Sequence, residues 1–442
     1  MNDIAPLIDH YLAEYARLER DLPGSDASKR DRQAELKAFA EAGFPDTRLE
    51  DWKYTSLRAL EKRRFEASDD AGDLDESALA PFLPDGLDTH RIVIVDGHFS
   101  ARLSSLDALP EGVTVRSFAA HLDEDAEARV KCAAVTEQPG SLSAMNAAFA
   151  TDGAYVEVAA NVVVDKPIHL VTLSSGTRED RMAQVRHRFV LQTGSQATAI
   201  EHYVGLGDKP YFTNVVTEAD MGTNAQLTRC RVQQESSRGY HIASFFARQT
   251  RDSRVINHGF DLGGRLARID TNTTLVDHNA EIHLYGVYAP TGRQHIDNHT
   301  RVDHDTEHSI SREIYKGVLA DHGRGVFNGK IIIHKHAQKT DSEQACDALL
   351  LSDKAEVDAK PELEIYADDV TAAHGSTVGQ LDEDAVFYLT SRGVDDVGAR
   401  AILTYSFANA LVQKIGIEPI ERFVEAALMS KLPGGENYTD LV

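Results

Sequence analysis

Over the first 90 residues, apolar side chains recur at three- and four-residue spacing. Ile4, Leu7, Ile8, Tyr11, Leu12, Tyr15 and Leu18 mark one face of an amphipathic helix. A second helical stretch is predicted over 28–42. It stops at Gly43-Phe44-Pro45, where glycine takes a left-handed cap and proline cannot continue the helix. Residues 91–150 mix one apolar strand, 91–95, with a helical stretch around 117–128, a small α/β piece leading to the middle of the chain.

From about 153 to 385 the texture changes. Short runs rich in Val, Ile, Thr, Tyr and Phe, such as Ala199-Ile200-Glu201-His202-Tyr203-Val204 and Lys330-Ile331-Ile332-Ile333, alternate with Gly, Asn and Asp turns. Many short strands separated by regular turn signals mean a sandwich, a barrel or a β-solenoid. A weak internal period favours the last. A polar residue three places before an aliphatic one recurs at Asn224/Leu227, Asp252/Val255, Asn279/Ile282 and Glu307/Ile310, in steps of about 28, 27 and 28 residues. Stacked coils, each burying its aliphatics against the next, give such a repeat. The register fades after residue 315.

Helical periodicity returns in the last region. Ala399, Leu403, Phe407, Ala410, Leu411 and Ile415 form one stripe. Pro419 opens a further helix carrying Ile420, Phe423, Val424 and Ala427. Beyond Pro433 a frayed tail is expected. The chain thus divides into a helical and small α/β region at 1–150, a β core at 151–385 and a helical region at 386–442.

Composition narrows the function. With 46 basic and 70 acidic residues the net charge is −24, a field that repels phosphate backbones and anionic lipid, so neither nucleic acid nor membrane is an expected partner. Much of the acid lies in the first ~130 residues, as in Asp69-Asp70-Ala71-Gly72-Asp73-Leu74-Asp75-Glu76, which reads as a solvated loop. Cys132, Cys230 and Cys346 are too few and too dispersed for a disulfide framework or a zinc ribbon. Neither a basic-then-apolar leader nor an apolar run of ~18 residues occurs, which points to a cytoplasmic protein.

The chemistry-bearing residues are sparse. Ten of the nineteen histidines lie between His258 and His336. His295, His299, His304 and His308 cluster, and His334 and His336 would share a face if they lay on a strand. No fixed two-histidine–carboxylate spacing stands out, so scattered surface and turn histidines are the plainer reading. A Gly-x-Ser-x-Gly elbow and a phosphate-binding Gly-x4-Gly-Lys-Ser/Thr loop are both missing from the sequence, so the chain itself is not expected to hydrolyse esters or ATP. Asp368-Asp369 and Asp395-Asp396 would suit a β-helix enzyme acting on polysaccharides, but adjacent carboxylates on a strand point to opposite faces. Trp52, the only tryptophan, reads as a packing anchor between the helical region and the rest of the chain. His374, in a Gly-flanked segment just before the C-terminal helices, reads on spacing alone as a structural turn residue.

The segment Glu364-Ile365-Tyr366-Ala367-Asp368-Asp369-Val370, with His374-Gly375 and Thr377-Val378-Gly379-Gln380-Leu381-Asp382, resembles the SufB/SufD family of iron–sulfur cluster assembly scaffolds. So do Gly325-Val326-Phe327-Asn328-Gly329-Lys330-Ile331, Leu349-Leu350-Leu351-Ser352, Ala355-Glu356-Val357-Asp358-Ala359-Lys360-Pro361 and Tyr388-Leu389-Thr390-Ser391-Arg392-Gly393. The similarity is dense from about 255 to 430 and thinner before. Glu50-Asp51-Trp52-Lys53-Tyr54-Thr55 and the low cysteine content favour the family's SufD branch over SufB.

The resemblance implies a mainly β fold, a right-handed parallel β-helix flanked by helical regions, acting as a non-catalytic scaffold with no tightly bound cofactor. It implies pairing with a SufB-like subunit through the ends of the solenoids. His374 would lie at that seam, beside transient iron or a nascent cluster. A SufC-like ATPase would dock on the C-terminal region, through Arg392, Gly393, Arg400, Tyr405 and Phe407. For an isolated chain, the unpaired interface leaves both a homodimer and a monomer open. One departure is visible: where the family pattern reads Cys-Ser-His-Gly, this chain has Ala372-Ala373-His374-Gly375, so any contribution to iron or sulfide rests on the imidazole. The alternatives are a SufB-like chain building clusters on its own and, more distantly, the polysaccharide-active β-helix.

Overall fold

The computed structural model describes residues 4–72, 74–106, 109–130 and 140–431. The expected tail beyond Pro433 and Cys132 lie outside the described residues. Two long parallel sheets dominate. One runs, in spatial order, through the strands Glu356–Ile365, Arg324–Ile333, His295–His304, Leu266–Leu275, Gly239–Gln249, Tyr211–Met221, Arg181–Leu191 and Asp152–Val158. The other runs through Thr371–Gly379, Asp341–Leu350, Ile310–Leu319, Glu281–Tyr288, Arg254–Asp261, Gln226–Gln234, Gln196–Gly205 and Ile168–Ser174. Successive strands alternate between the sheets, so the chain winds as a β-solenoid with a closed interior. Both sheets begin before the expected core boundary: His90–Val95 pairs parallel with Ile168–Ser174, and Val113–Ser117 pairs antiparallel with Asp152–Val158.

The weak repeat in the sequence is the corner of each coil. Asn161, Gly194, Asn224, Asp252, Asn279, His308 and Lys339 all have φ between 55° and 69°, a left-handed conformation that Gly, Asn and Asp enter at least cost. Most of these corners hand a backbone N–H to the next coil, as from Asn224 to Arg251 O, Asp252 to His278 O and His308 to Gln338 O. The corner in the fourth repeat is His308, one residue past Glu307, the position that sequence spacing singles out. The fading after 315 has a simple cause: the coil from Ile310 to its partner Asp341 is longer than that from Arg254 to Glu281.

Inside, side chains interlock between coils. Gly286 faces Tyr315 and Tyr288 faces Gly317 on paired strands. A Cβ on Gly286 would sit 2.1 Å from the Tyr315 ring, so each glycine makes the space its neighbour's ring fills.

The helical regions clothe the two outer faces. Ile4–Leu18 and Asp26–Ala42 bury Leu7, Tyr11, Tyr15, Leu18 and Phe39, with Phe149 of the helix Ser141–Phe149, against Phe212, Tyr240, Ile242 and Leu266 of the first sheet. Leu12, on the expected stripe, points outward. Gly43 ends the second helix at φ 68°, its N–H bonded to Phe39 O. Trp52 is the anchor the sequence suggests: the Arg268 guanidinium lies 3.9 Å from its ring centre.

On the other face, Asp396–Val412 and Glu418–Met429 lay Ala408, Leu411, Val412, Ile420 and Val424 on Cys230, Val232, Phe260, Val287 and Val318. Ala410 of the expected stripe is exposed. Among the described residues no helix is long and apolar enough to cross a membrane.

Candidate functional site

The sides of the solenoid are covered, but its C-terminal end is open. Among the described residues, Glu356–Ile365 and Thr371–Gly379 each pair with one neighbour only, leaving a row of backbone donors and acceptors free on each. Their inward side chains continue the interior columns out to the surface. Val357, Ala359 and Leu363 follow Gly325, Phe327 and Ile331 on one sheet; Ala372, His374 and Val378 follow Ser342, Gln344 and Ala348 on the other. Ile365, Tyr366 and Val378 are 41%, 60% and 48% exposed. This is the cross-section of a solenoid core, apolar at its rim, presented to solvent.

His374 lies in the middle of that end. It is on the strand Thr371–Gly379 and not in a turn, because Thr371 already begins pairing with Asp341. In-register pairing in a parallel sheet stacks side chains on one face, so His374 caps the column Leu284, Glu313, Gln344. Directly beneath it, Gln344 Nε2 donates to Glu313 Oε2 at 2.5 Å. Glu313 is fully enclosed, and burial pushes its carboxyl up to about 7. Deeper in the bore, Glu201 shows the opposite case. Arg229 grips it with two hydrogen bonds, at 2.6 and 2.7 Å, and its carboxyl falls to about 2 despite equal burial. The difference is the partner: Glu313 has a neutral amide where Glu201 has a guanidinium.

No group of three or more His, Cys, Asp or Glu side chains suited to hold a metal occurs among the described residues. His374 therefore stands without other metal-ligating side chains grouped around it among the described residues. The other histidine clusters hold no group suited to a metal among the described residues: His299 shares Asp297 with His295, at 3.0 Å, and the His334 and His336 rings lie 6.4 Å apart. His304 is enclosed between Ser309 and Ser311, at 2.7 and 2.9 Å, with its pKa lowered to about 3 by burial. His295 takes part in the Thr55–Asp297 network. His334 and His336 lie just past the end of a strand, each beside a carboxylate, Asp303 and Asp305. The acid pairs are structural too. Asp369 bonds Lys339, Asp396 bonds Arg400, and Asp395 caps its helix by accepting from Gly398 N. Cys230 and Cys346 are buried, with thiols pushed up to about 12. Such thiols are inert.

The five residues expected to dock an ATPase divide. Arg392 and Gly393 are exposed beyond the helix Glu383–Thr390, with Arg392 4.8 Å over the Tyr388 ring. Beside them Phe387, Tyr388 and Val397 are 72%, 56% and 52% exposed. Arg400 is held by Glu383, with two contacts of 2.9 Å, and by Asp396. Tyr405 pairs with Glu425 of the next helix, whereas Phe407 faces the solenoid, with the Lys316 ammonium 4.5 Å from its ring centre. Glu313 and Gln344 escaped sequence reading, because the repeat register that links them to His374 lengthens at that point.

The architecture is that of a β-solenoid clad on both sides and open at one end, where a lone imidazole stands among exposed apolar side chains. Residues 172–407 match the SufBD core domain of the SUF iron–sulfur cluster assembly system, and 1–170 match the SufBD N-terminal region. The iron–sulfur cluster assembly protein SufD of Escherichia coli is 31% identical over 423 residues, covering 93% of this chain and 95% of that protein. A SufBD family protein of Synechocystis is 31% identical, covering 88% of each chain. SufD of Bacillus subtilis is 28% identical, covering 66% and 67%. The chain belongs to the SufBD family of iron–sulfur cluster assembly proteins and is a SufD homologue.

Proposed function

We propose that this chain is a non-catalytic scaffold subunit that pairs, through its open solenoid end, with a cysteine-bearing SufB-like subunit. Transient iron or a nascent cluster is held at the seam, and a SufC-like ATPase docks on the exposed surface around Phe387, Tyr388, Arg392 and Val397. The observation that carries this reading is the uncapped end: two free strand edges and an apolar core cross-section converge on His374. A matching solenoid end would satisfy the free backbone groups and remove the rim from water at once. The partner's thiolates would complete a ligand set to which this chain adds one imidazole. ATP-driven closure of the ATPase would pull on Glu383–Thr390 and Asp396–Val412. The first of these helices comes directly after the His374 strand, so the pull reaches the seam and opens it to iron and sulfide. His374 then serves as an iron ligand, or as a base for the partner's thiol.

Against a SufB-like chain acting alone, both cysteines among the described residues, Cys230 and Cys346, are buried. In cells dependent on this system, a His374→Ala variant that still assembles should lose cluster-enzyme activity; unchanged activity removes His374 from the mechanism. Co-purification with the SufB-like and SufC-like proteins, with and without the residues after 390, tests the partners. Loss of the ATPase alone on truncation is expected, and failure of the full chain to capture either protein rejects the assembly.

A further inference from the structure

We propose that the hydrogen-bond ladder to the SufB-like partner crosses the seam on Thr371–Gly379, with an edge strand of the partner lying close against Gly375, while Glu356–Ile365 is a guarded edge that meets the partner through side chains. This deepens the assembly proposed above and rests on it.

The backbone directions differ between the two edges. In a parallel sheet, alternate residues turn their N–H and C=O groups to opposite sides. Thr371 N donates back to Thr340 O, so Ala372, His374, Ser376 and Val378 hold theirs out to the open end, an unbroken row of donors. On the other strand Glu356 N and Tyr366 N donate back to Gly323 O and Ile333 O. That turns Val357, Ala359, Pro361, Leu363 and Ile365 toward the open end. Proline has no N–H, so the middle of this second row offers no donor.

The side chains sharpen the contrast. Glu356, Asp358, Lys360, Glu362 and Glu364 put a charge at every second position of the guarded edge. Arg324 and Lys330, one coil in, answer Asp358 and Glu364 at 2.8 and 2.6 Å, and Lys360 is shared by Glu50 and Glu362. Charge and proline on an edge strand oppose pairing. Thr371–Gly379 carries only small or β-branched side chains beside His374, and seven of its nine residues are exposed.

Two glycines on that strand point to close approach. Further in on the same sheet, glycine makes room within the chain: a Cβ on Gly259, Gly286 or Gly317 would meet an atom at 2.7, 2.1 or 2.5 Å. On Gly375 or Gly379 it would meet nothing within 4 Å among the described residues, and neither has a positive φ. Glycine weakens a strand, and this chain makes no use of the space it leaves there. A second backbone laid against the strand does.

The occupant is a sister solenoid and not a second copy. A two-fold axis that pairs Thr371–Gly379 with itself also sets Glu356–Ile365 against itself, four carboxylates and one ammonium on each side. The partner strand that faces Glu356–Ile365 is therefore neutral or basic.

Hydrogen exchange read by mass spectrometry, on the full chain alone and in complex with the SufB-like and SufC-like proteins, tests this. On assembly, peptides covering 371–379 should gain protection at about four amides, and those covering 356–365 at none. Gly375→Val should leave the melting temperature of the isolated chain unchanged yet weaken capture of the SufB-like protein about tenfold or more, as should Ser376→Pro, whereas Val357→Pro should leave capture within about twofold. Should either proline variant fail to fold, Gly375→Val and the exchange pattern decide. Equal protection of both strands, or Gly375→Val capturing its partner as the wild type does, overturns the proposal. Protection of 371–379 in the isolated chain equal to that in the complex gives the strand to a second copy and overturns the choice of occupant. A wild-type chain that captures no SufB-like protein overturns the assembly itself, whereas capture with equal protection overturns this inference alone.

Discussion

The guanidinium of Arg268 lies over the Trp52 ring, 3.9 Å from its centre, while its nitrogens hold Asp270 at 2.8 Å and Asp297 at 3.0 Å. The same arginine donates to Asp51 O, and Thr55 reaches Asp297 and His295. The segment Glu50–Thr55 is thus a strap. It buries a polar network on the outer face of the solenoid, and Lys360 ties Glu50 to the last coil.

Trp52→Ala should remove the cover from Arg268 and cost about 2–3 kcal/mol, below the value for a fully enclosed tryptophan because Trp52 is half-buried. Urea denaturation should show a lower midpoint with an unchanged slope, and limited proteolysis should cut near the strap. A midpoint equal to that of the wild type would show that the strap does not hold the helical layer.

Arg229→Met leaves Glu201 as a carboxylate at full burial without its counter-charge, its remaining hydrogen bonds coming from Tyr203 and Thr217. The expected loss is about 3–5 kcal/mol, and Arg229→Met with Glu201→Gln should recover much of it. A double variant no more stable than the single one would contradict the assignment of the penalty to the stranded charge.

The pH dependence of stability carries opposite signs at the two interior glutamates. Glu313 ionises at about 7 when folded and at the ordinary 4.5 when unfolded. Between these values the folded state holds the extra proton, so stability falls as pH rises, by on the order of 3 kcal/mol. Glu201, lowered to about 2, contributes stability above 4.5 that is lost as pH falls toward 2. His187, His202 and His258, lowered to about 4 by burial, lose stability as pH falls from 6.5 toward 4. Subtracting the stability–pH curve of Glu313→Gln from that of the wild type isolates the Glu313 contribution. A flat difference between pH 4.5 and 7 would refute its raised pKa.

Val378→Lys with Ile365→Lys places two charges on the exposed rim of the open end without disturbing buried side chains. Stability should change by less than about 1 kcal/mol. Association through this end, with a second copy or a sister solenoid, should weaken at least tenfold in light scattering or sedimentation. Undiminished association would place the interface elsewhere.

Cys230 and Cys346 should resist alkylation in the native chain and react at once in denaturant, as read by mass spectrometry of the peptides. Rapid native labelling of either would mean that the core opens locally there.

Local pattern sufficed for the polar-then-aliphatic repeat at Asn224, Asp252 and Asn279, the helical stripes of Leu7–Leu18 and Ile420–Ala427, and Trp52 as an anchor. Each is set by local backbone preference or by a periodicity within one element. The sequence also carried the family motifs around His374. Which way those residues face depends on how the coils pair. Coil lengths vary by a few residues, and one residue of slip inverts every side chain on a strand. So the stacking of His374 over Gln344 and Glu313 arises from long-range pairing that no local pattern encodes.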